Sequence, residues 1–289
     1  MDRIHNPEFE LDLNLLLEEI NRKYNYDFRH YSPASMKRRV LQAMDRMGHL
    51  TLTSLHEKVI HDSNSFHDLL QFLTIPVSEM FRDTDYYLAL REKVIPILKT
   101  YPSVKIWVAG CSTGEEVYSL AILLKEEDLL DRTLIYATDI NSRSIEKAEK
   151  GIFSLKDIEK YNSSYLLSGG KCALSDYYTA NLHSVIFDST LKKKVTFANH
   201  SLVADAVFSE THFISCRNVL IYFDRELQDR ALGLFHESLC RKGFLGLGHK
   251  ETIQFSHYAK NFDPFSRDDQ IFQKNDKHSA KQNSKDERA

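Results

Sequence analysis

A chain of 289 residues and 33.6 kDa has room for one large domain or two smaller ones with separate cores, and two are expected. Hydrophobic content of 42%, charged content of 27%, 17 Phe and 14 Tyr describe an ordinary globular protein, and a formal net charge of −3 argues against a general nucleic-acid binder. No apolar run approaches the roughly 20 residues needed to span a bilayer, and the N-terminal MDRIHNPEFE lacks the apolar stretch of a secretion signal. A cytoplasmic protein without membrane insertion is therefore expected. Cys111, Cys172, Cys216 and Cys240 are far apart with no C-x-x-C pair, which indicates neither a zinc site nor a disulfide framework; reduced, buried thiols are expected.

From Glu10 to about Tyr101 apolar residues recur at three and four spacing, predicting four or five short helices. Ser32 and Pro33 make an N-cap and first-turn pair for the second of them, and Gly48 is its stop. Lys37, Arg38 and Arg39 on that helix, with Arg46 two turns on, are either a solvated face or a docking face for an acidic partner. In TIPVSEMFRD (74–83) Pro76 blocks helix continuation, and Arg82 offers a rigid, permanently charged fork suited to holding a carboxylate. A surface salt bridge at a domain junction would explain that arginine equally well. A helix from Asp85 to Leu98 follows.

The stretch VKIWVAGCSTGEEVYSLAILL (104–124) reads as strand, tight glycine-containing loop and helix. Its spacing is neither G-x-G-x-x-G nor a phosphate loop, and Glu115 and Glu116 stand where a phosphate site would want neutral or positive groups. A ligand with positive charge or hydroxyls suits this turn better. LIYATD (134–139) is a buried-type strand ending in Asp139, at the edge where open parallel sheets bind ligands; that carboxylate suits ribose hydroxyls, or a helix N-cap for Ser142 onward. Residues 152–196, rich in Tyr and Ser, interrupt the alternation as a small insertion with some β-structure. Strands KVTFAN, HFISCRN and GFLGLG, a helix that Asp224 can cap, and a closing hairpin in FDPFSRDDQIFQK complete the pattern, while residues 276–289 lack apolar periodicity and are expected to be disordered.

With TIPVSEMFRD, WVAGCSTGEEVYSLA, ATDI and SCRNVLIYFD present in this order, the chain resembles the CheR family over about residues 10–275. These bacterial chemotaxis-receptor methyltransferases esterify receptor glutamates with S-adenosylmethionine. The resemblance implies an α/β, Rossmann-like methyltransferase domain (85–275) with a small inserted antiparallel β-subdomain (152–196), preceded by an all-α helical domain (1–84). It implies that Gly110, Ser112, Thr113 and Gly114 form the cofactor loop, Glu115 meets the amino acid portion of the cofactor and Asp139 holds the ribose. Ser78 and Arg82 would reach the cofactor from the helical domain, Arg217 and Asn218 would contact it and, with Tyr222, line the reaction crevice, and Arg82 and Tyr222 would be the catalytic pair. Ser201 would be a further contact, although many members have Asn there, and Pro76 stands where some have Asn. Lys37, Arg38 and Arg39 would dock the acidic cytoplasmic region of a receptor onto a monomeric enzyme with no metal. A methyltransferase of some other carboxylate and a non-catalytic cofactor-binding scaffold remain the alternatives, as does the question whether the insertion binds a receptor's C-terminal peptide.

Overall fold

The computed structural model describes residues 7–275, so the expected disorder of 276–289 lies outside the described residues. The chain divides into two compact units, one running to Pro76 and including Tyr222–Arg230, the other comprising Val77–Ile221 and the chain from Ala231 on. The division falls before the boundary after residue 84 expected from sequence, because Met80 and Phe81 are buried in the core of the second unit and the Phe81 amide donates to Ser119 Oγ at 3.0 Å.

The first unit holds, among its described residues, four whole helices, α1 (Pro7–Tyr24), α2 (Pro33–Met47), α3 (Leu52–His61) and α4 (Ser63–Thr74), and the start, to Arg230, of a helix that continues in the second unit. Their apolar stripes meet in a core that includes Leu16, Ile20, Phe28, Val40, Leu55 and Leu69, and Tyr24 stacks on Phe66 with ring centroids 3.9 Å apart. Pro33 opens α2 and left-handed Gly48 closes it, but the Ser32 hydroxyl makes no capping bond. Thr51 and Asp62 do cap α3 and α4 through their side chains. Residues 222–224 join this unit by backbone bonds: the Ser32 amide donates to Tyr222 O at 2.8 Å and the Asp224 amide to His30 O at 2.9 Å.

In the second unit α5 (Thr84–Ala89) passes through a π turn (Leu90–Val94) into α6 (Ile95–Leu98), and the chain then enters the main sheet. That sheet takes β1 (Val104–Ala109), β2 (Thr133–Asp139), β6 (Val195–Asn199), β7 (Thr211–Cys216), β8 (Leu239–Leu247), β9 (Phe262–Ser266) and β10 (Ile271–Lys274) in the order β6-β2-β1-β7-β8-β10-β9. The β6-to-β8 part is parallel, and β10 and β9 close the edge as the expected antiparallel hairpin. Helices α7 (Glu115–Glu126), α8 (Ser142–Lys150) and α11 (Arg225–Ser238) provide crossovers, the last beginning with the Leu227 amide on Asp224 Oδ1 at 2.9 Å. Burial of nearly all of β1 and β7 fits strands covered on both faces.

The insertion contains a three-stranded antiparallel sheet, β3 (Ile152–Ser154), β5 (Ser184–Phe187) and β4 (Tyr178–Asn181), with α9 (Leu155–Leu167) and the short α10 (Ser189–Lys192). It ends before Val195, which already belongs to the main sheet. Its seat is polar: Glu126, its side chain 2% exposed, takes hydrogen bonds from Arg91, the Tyr165 and Tyr177 hydroxyls and the Lys171 amide. Removing one partner of a buried ion pair strands the others, so Glu126→Ala should cost about 3–5 kcal/mol in urea unfolding at neutral pH. A loss under 1 kcal/mol would show that these donors re-pair with water.

Three of the four cysteines are buried as expected, whereas Cys172 is exposed; all four are free thiols.

Candidate active site

The carboxyl ends of β1, β2, β6 and β7 gather most of the expected cofactor residues. β2 pairs in parallel with both β1 and β6, so Ala109, Asp139 and Asn199 end their strands side by side. The Gly110 and Cys111 amides both donate to Thr138 O at 2.8 Å, bending the chain out of β1 into the loop. Gly110 has φ 75°, and a Cβ there would come within 2.4 Å of Val219, so only glycine lets these segments meet. Gly114, with φ 99°, is the N-cap of α7.

Asp139 is a backbone anchor facing the site. Its carboxylate accepts the Ser112 amide at 2.9 Å and the Asn141 amide at 2.9 Å, while Asn141, not Asp139, caps α8. The cap therefore falls on Asn141, and the Asp139 carboxylate is bonded instead to the Ser112 and Asn141 amides. Burial pushes the Asp139 carboxyl above its ordinary pKa, against the opposing effect of those amides. The Ser112 hydroxyl is buried without a partner, an acceptor and donor held ready for a polar ligand.

The two adjacent glutamates point to different tasks. Thr113 Oγ1 donates to the Glu115 carboxylate at 2.7 Å; burial raises that carboxyl's pKa, and hydrogen bonds from Thr113 and from the Ser78 side chain oppose the rise. Glu116 instead accepts Ser215 Oγ at 2.6 Å and lies 3.4 Å from Arg217 Nη1. One carboxylate is bonded within the loop that opens α7, and the other neutralises an arginine inside the protein.

Arg217 has a side chain only 1% exposed, stacked on Tyr86 at 4.1 Å. Its Nη2 donates at 2.7 Å to both the Arg82 carbonyl and Asp83. It therefore shapes the Arg82 segment, and its terminal nitrogens are committed to protein. The Arg82 guanidinium, in contrast, enters no hydrogen bond or ion pair among the described residues. Phe81 (φ 52°) and Asp83 (φ 58°) flank it in left-handed backbone, and Ser112 (φ 51°) and Asn218 (φ 60°) share that conformation. Non-glycine residues held there cost of order 1–3 kcal/mol each, and such strain concentrates where backbone is preset for a ligand.

Ser201 follows β6 beside the end of β2, where the His200 amide meets Asp139 O at 3.2 Å. Its hydroxyl accepts the Val203 and Ala204 amides at 3.2 and 3.3 Å, so it builds a turn, with its O–H still able to donate to a ligand. Tyr222 belongs to the helical unit, with the Arg39 guanidinium 4.2 Å from its ring centre. That placement corrects the docking set. Arg39 is 1% exposed and bonded to Leu73 O, and Lys37 is buried against Glu10 at 2.9 Å; Arg38 alone of the three is exposed. Arg38 borders a cavity of about 800 Å³ lined by Leu13, Asn14, Pro33, Ala34 and Leu41.

Sequence reading missed Tyr161 and Glu251. The Tyr161 hydroxyl, on α9, lies 3.5 Å from Ser78 O, and its pKa is pushed up to about 12 by burial and by the charges of Glu115, Asp157 and Glu79. Glu251 accepts four backbone amides around Asn218. Neither residue stands in a motif whose spacing announces chemistry.

A parallel sheet with a glycine turn after β1, an acid opening the helix that follows that turn and a second acid ending β2 defines a Rossmann-like methyltransferase class. The chain belongs to the CheR methyltransferase family: the family's SAM-binding domain matches residues 76–268 and its all-alpha domain residues 11–74. It is 57% identical to Cher3 of Pseudomonas putida, over 92% of this chain and 97% of that protein. It is 28% identical to the chemotaxis protein methyltransferase of Listeria innocua, covering 86% of this chain and 92% of that one. The protein is thus an S-adenosylmethionine-dependent methyltransferase. Its residues fit that cofactor: the unpartnered Ser112 hydroxyl, the open Gly110 turn and the carboxylates of Asp139 and Glu115 suit a ligand that is cationic at one end and carries ribose hydroxyls. Among the described residues no helix is long and apolar enough to cross a membrane.

Proposed function

We propose that this enzyme works in the cytoplasm as a monomer and methylates glutamate side chains in the cytoplasmic region of chemotaxis receptors, forming methyl esters. The observation that carries this reading is the Arg82 guanidinium, which enters no hydrogen bond or ion pair among the described residues, on a segment whose backbone is held by the same Arg217 that lies against Glu116. Bound S-adenosylmethionine supplies an electrophilic methyl group on a sulfonium. A glutamate acceptor is already ionised at neutral pH, so the protein needs no general base; it must orient, desolvate and hold. Glu115 favours the cationic end of the cofactor, Asp139 and Ser112 take its hydroxyls, and Arg82 orients the acceptor carboxylate. Arg217 acts by holding the Arg82 backbone, not by touching the cofactor.

Labelled methyl transfer from the cofactor to a purified receptor cytoplasmic fragment tests the reading, and label lost in mild alkali is the expected result. Alkali-stable label would overturn it. Arg38 is the docking cation on α2, so Arg38→Glu should raise the KM for the receptor fragment about three- to tenfold at low salt, with cofactor affinity unchanged. An unchanged KM would move docking to another face.

A further inference from the structure

Glu251 follows the end of β8 in the turn GHKE, a place where the motifs assign no function. It is 5% exposed, yet its carboxylate gathers amides from two separate segments. Oε2 accepts the Asn218 amide at 2.8 Å and the Gly248 amide at 2.6 Å, and Oε1 accepts Val219 at 2.8 Å and Ile221 at 3.3 Å. Three of those donors follow β7 directly, in the segment that begins with Arg217 and leads to Tyr222. Consecutive amides converge on one point only when the backbone bends sharply, and Asn218 supplies the bend with its left-handed φ of 60°. A neutral side chain could not replace this hub, since buried N–H groups without acceptors cost about 1–3 kcal/mol each.

Two close approaches transmit the position of this hub. A Cβ on Gly248 would lie 2.8 Å from Asn218 N and Nδ2, so Asn218 rests on the Gly248 turn. Val219, held by Oε1, is the residue that would meet a Cβ on Gly110 in the cofactor loop. One buried carboxylate therefore sets both the wall behind the cofactor turn and the backbone that presents Asn218. Other buried polar groups of this unit lack that reach: Glu126 fastens the insertion to the end of α7, and Arg217 acts on the Arg82 segment.

We propose that Glu251 is a positioning residue for methyl transfer, holding the 217–221 segment in its working conformation without touching the substrate. The inference rests on the reading that this segment lines the reaction crevice. In the full chain, Glu251→Gln keeps the size but sets an NH₂ group against amide donors. Hydrogen exchange should then quicken at 218, 219, 221 and 248 while β1 and β2 keep their protection. Turnover on a receptor fragment should fall at least tenfold per cofactor-binding site, with sites counted by titration with S-adenosylhomocysteine. Counting sites separates mispositioning from partial unfolding, which would lower the number of sites instead. If Glu251→Gln fails to fold, Gly248→Ala tests the same rest from its other side and should show the same loss per site. Turnover within twofold of the parent enzyme in the folded variant overturns the proposal. If Asn218→Ala also leaves turnover unchanged, the crevice reading fails with it; if Asn218→Ala slows turnover and Glu251→Gln does not, only the role of Glu251 is lost. Should no acceptor be methylated at all, exchange in Glu251→Gln unchanged at 218, 219, 221 and 248 would still refute the positioning role.

Discussion

Replacing Asp139 with alanine should weaken S-adenosylhomocysteine binding about 100-fold in calorimetry while the protein still unfolds cooperatively. Each carboxylate oxygen already accepts one backbone amide, from Ser112 or Asn141, and each keeps lone-pair capacity for a ribose hydroxyl. Hydrogen bonds to a charged group contribute about 1.5–3 kcal/mol each, and 100-fold in affinity corresponds to about 2.7 kcal/mol, so the loss needs little more than one such bond. The Ser112 amide also loses its acceptor, which loosens the cofactor loop at its left-handed residue. Asp139→Asn keeps one carbonyl oxygen and should lose only about tenfold. The pH dependence has a definite sign. Burial raises the carboxyls of both Asp139 and Glu115, so acid neutralises them sooner than ordinary carboxylates. Affinity should therefore rise with pH through their raised pKa values and level off once both are ionised, and Asp139→Ala should leave only the Glu115 part of that rise. Unchanged affinity in the alanine variant would mean that the ribose lies elsewhere.

Strand-loop-helix order, the acid at the end of β2 and the closing hairpin were legible because each rests on local pattern: apolar runs, a glycine turn, a carboxylate at a strand's end. What sequence could not show is direction. Glu115 and Glu116 are adjacent and chemically identical, yet helical geometry turns the first toward the ligand loop and the second toward Ser215 and Arg217. Lys37, Arg38 and Arg39 read as one basic patch, but successive helix positions lie about 100° apart, so only Arg38 reaches solvent while Arg39 is buried beside Tyr222. Glu251 was invisible for another reason. Its partners are backbone amides some thirty residues away, and backbone groups carry no sequence signature. The π turn at Leu90–Val94 likewise interrupts a segment whose periodicity reads as one plain helix.

Arg82→Ala should lower turnover on a receptor fragment about 100- to 1,000-fold with cofactor affinity changed less than about fivefold, a size typical for loss of one preorganised charged donor at a reacting centre. Arg82 is prepared for such work by its surroundings. Its carbonyl is held by Arg217 at 2.7 Å, Phe81 is anchored through Ser119 at 3.0 Å, and left-handed residues on both sides preset the backbone. Its guanidinium nevertheless remains without an acidic partner, although Asp83 is its neighbour, because Arg217 takes that carboxylate. Arg217 thereby holds the segment and also leaves the Arg82 guanidinium unpaired. Arg217→Met should consequently lower turnover as well, and lower stability too, since Glu116 and Asp83 would lose their buried counter-charge. Arg82→Lys restores charge without the planar fork and should recover only a small part of the rate. A grip that were too tight would quench the nucleophile, so the effect should fall on kcat more than on the KM for the receptor. A large rise in KM with kcat unchanged would instead make Arg82 a docking residue and leave orientation of the carboxylate to other groups.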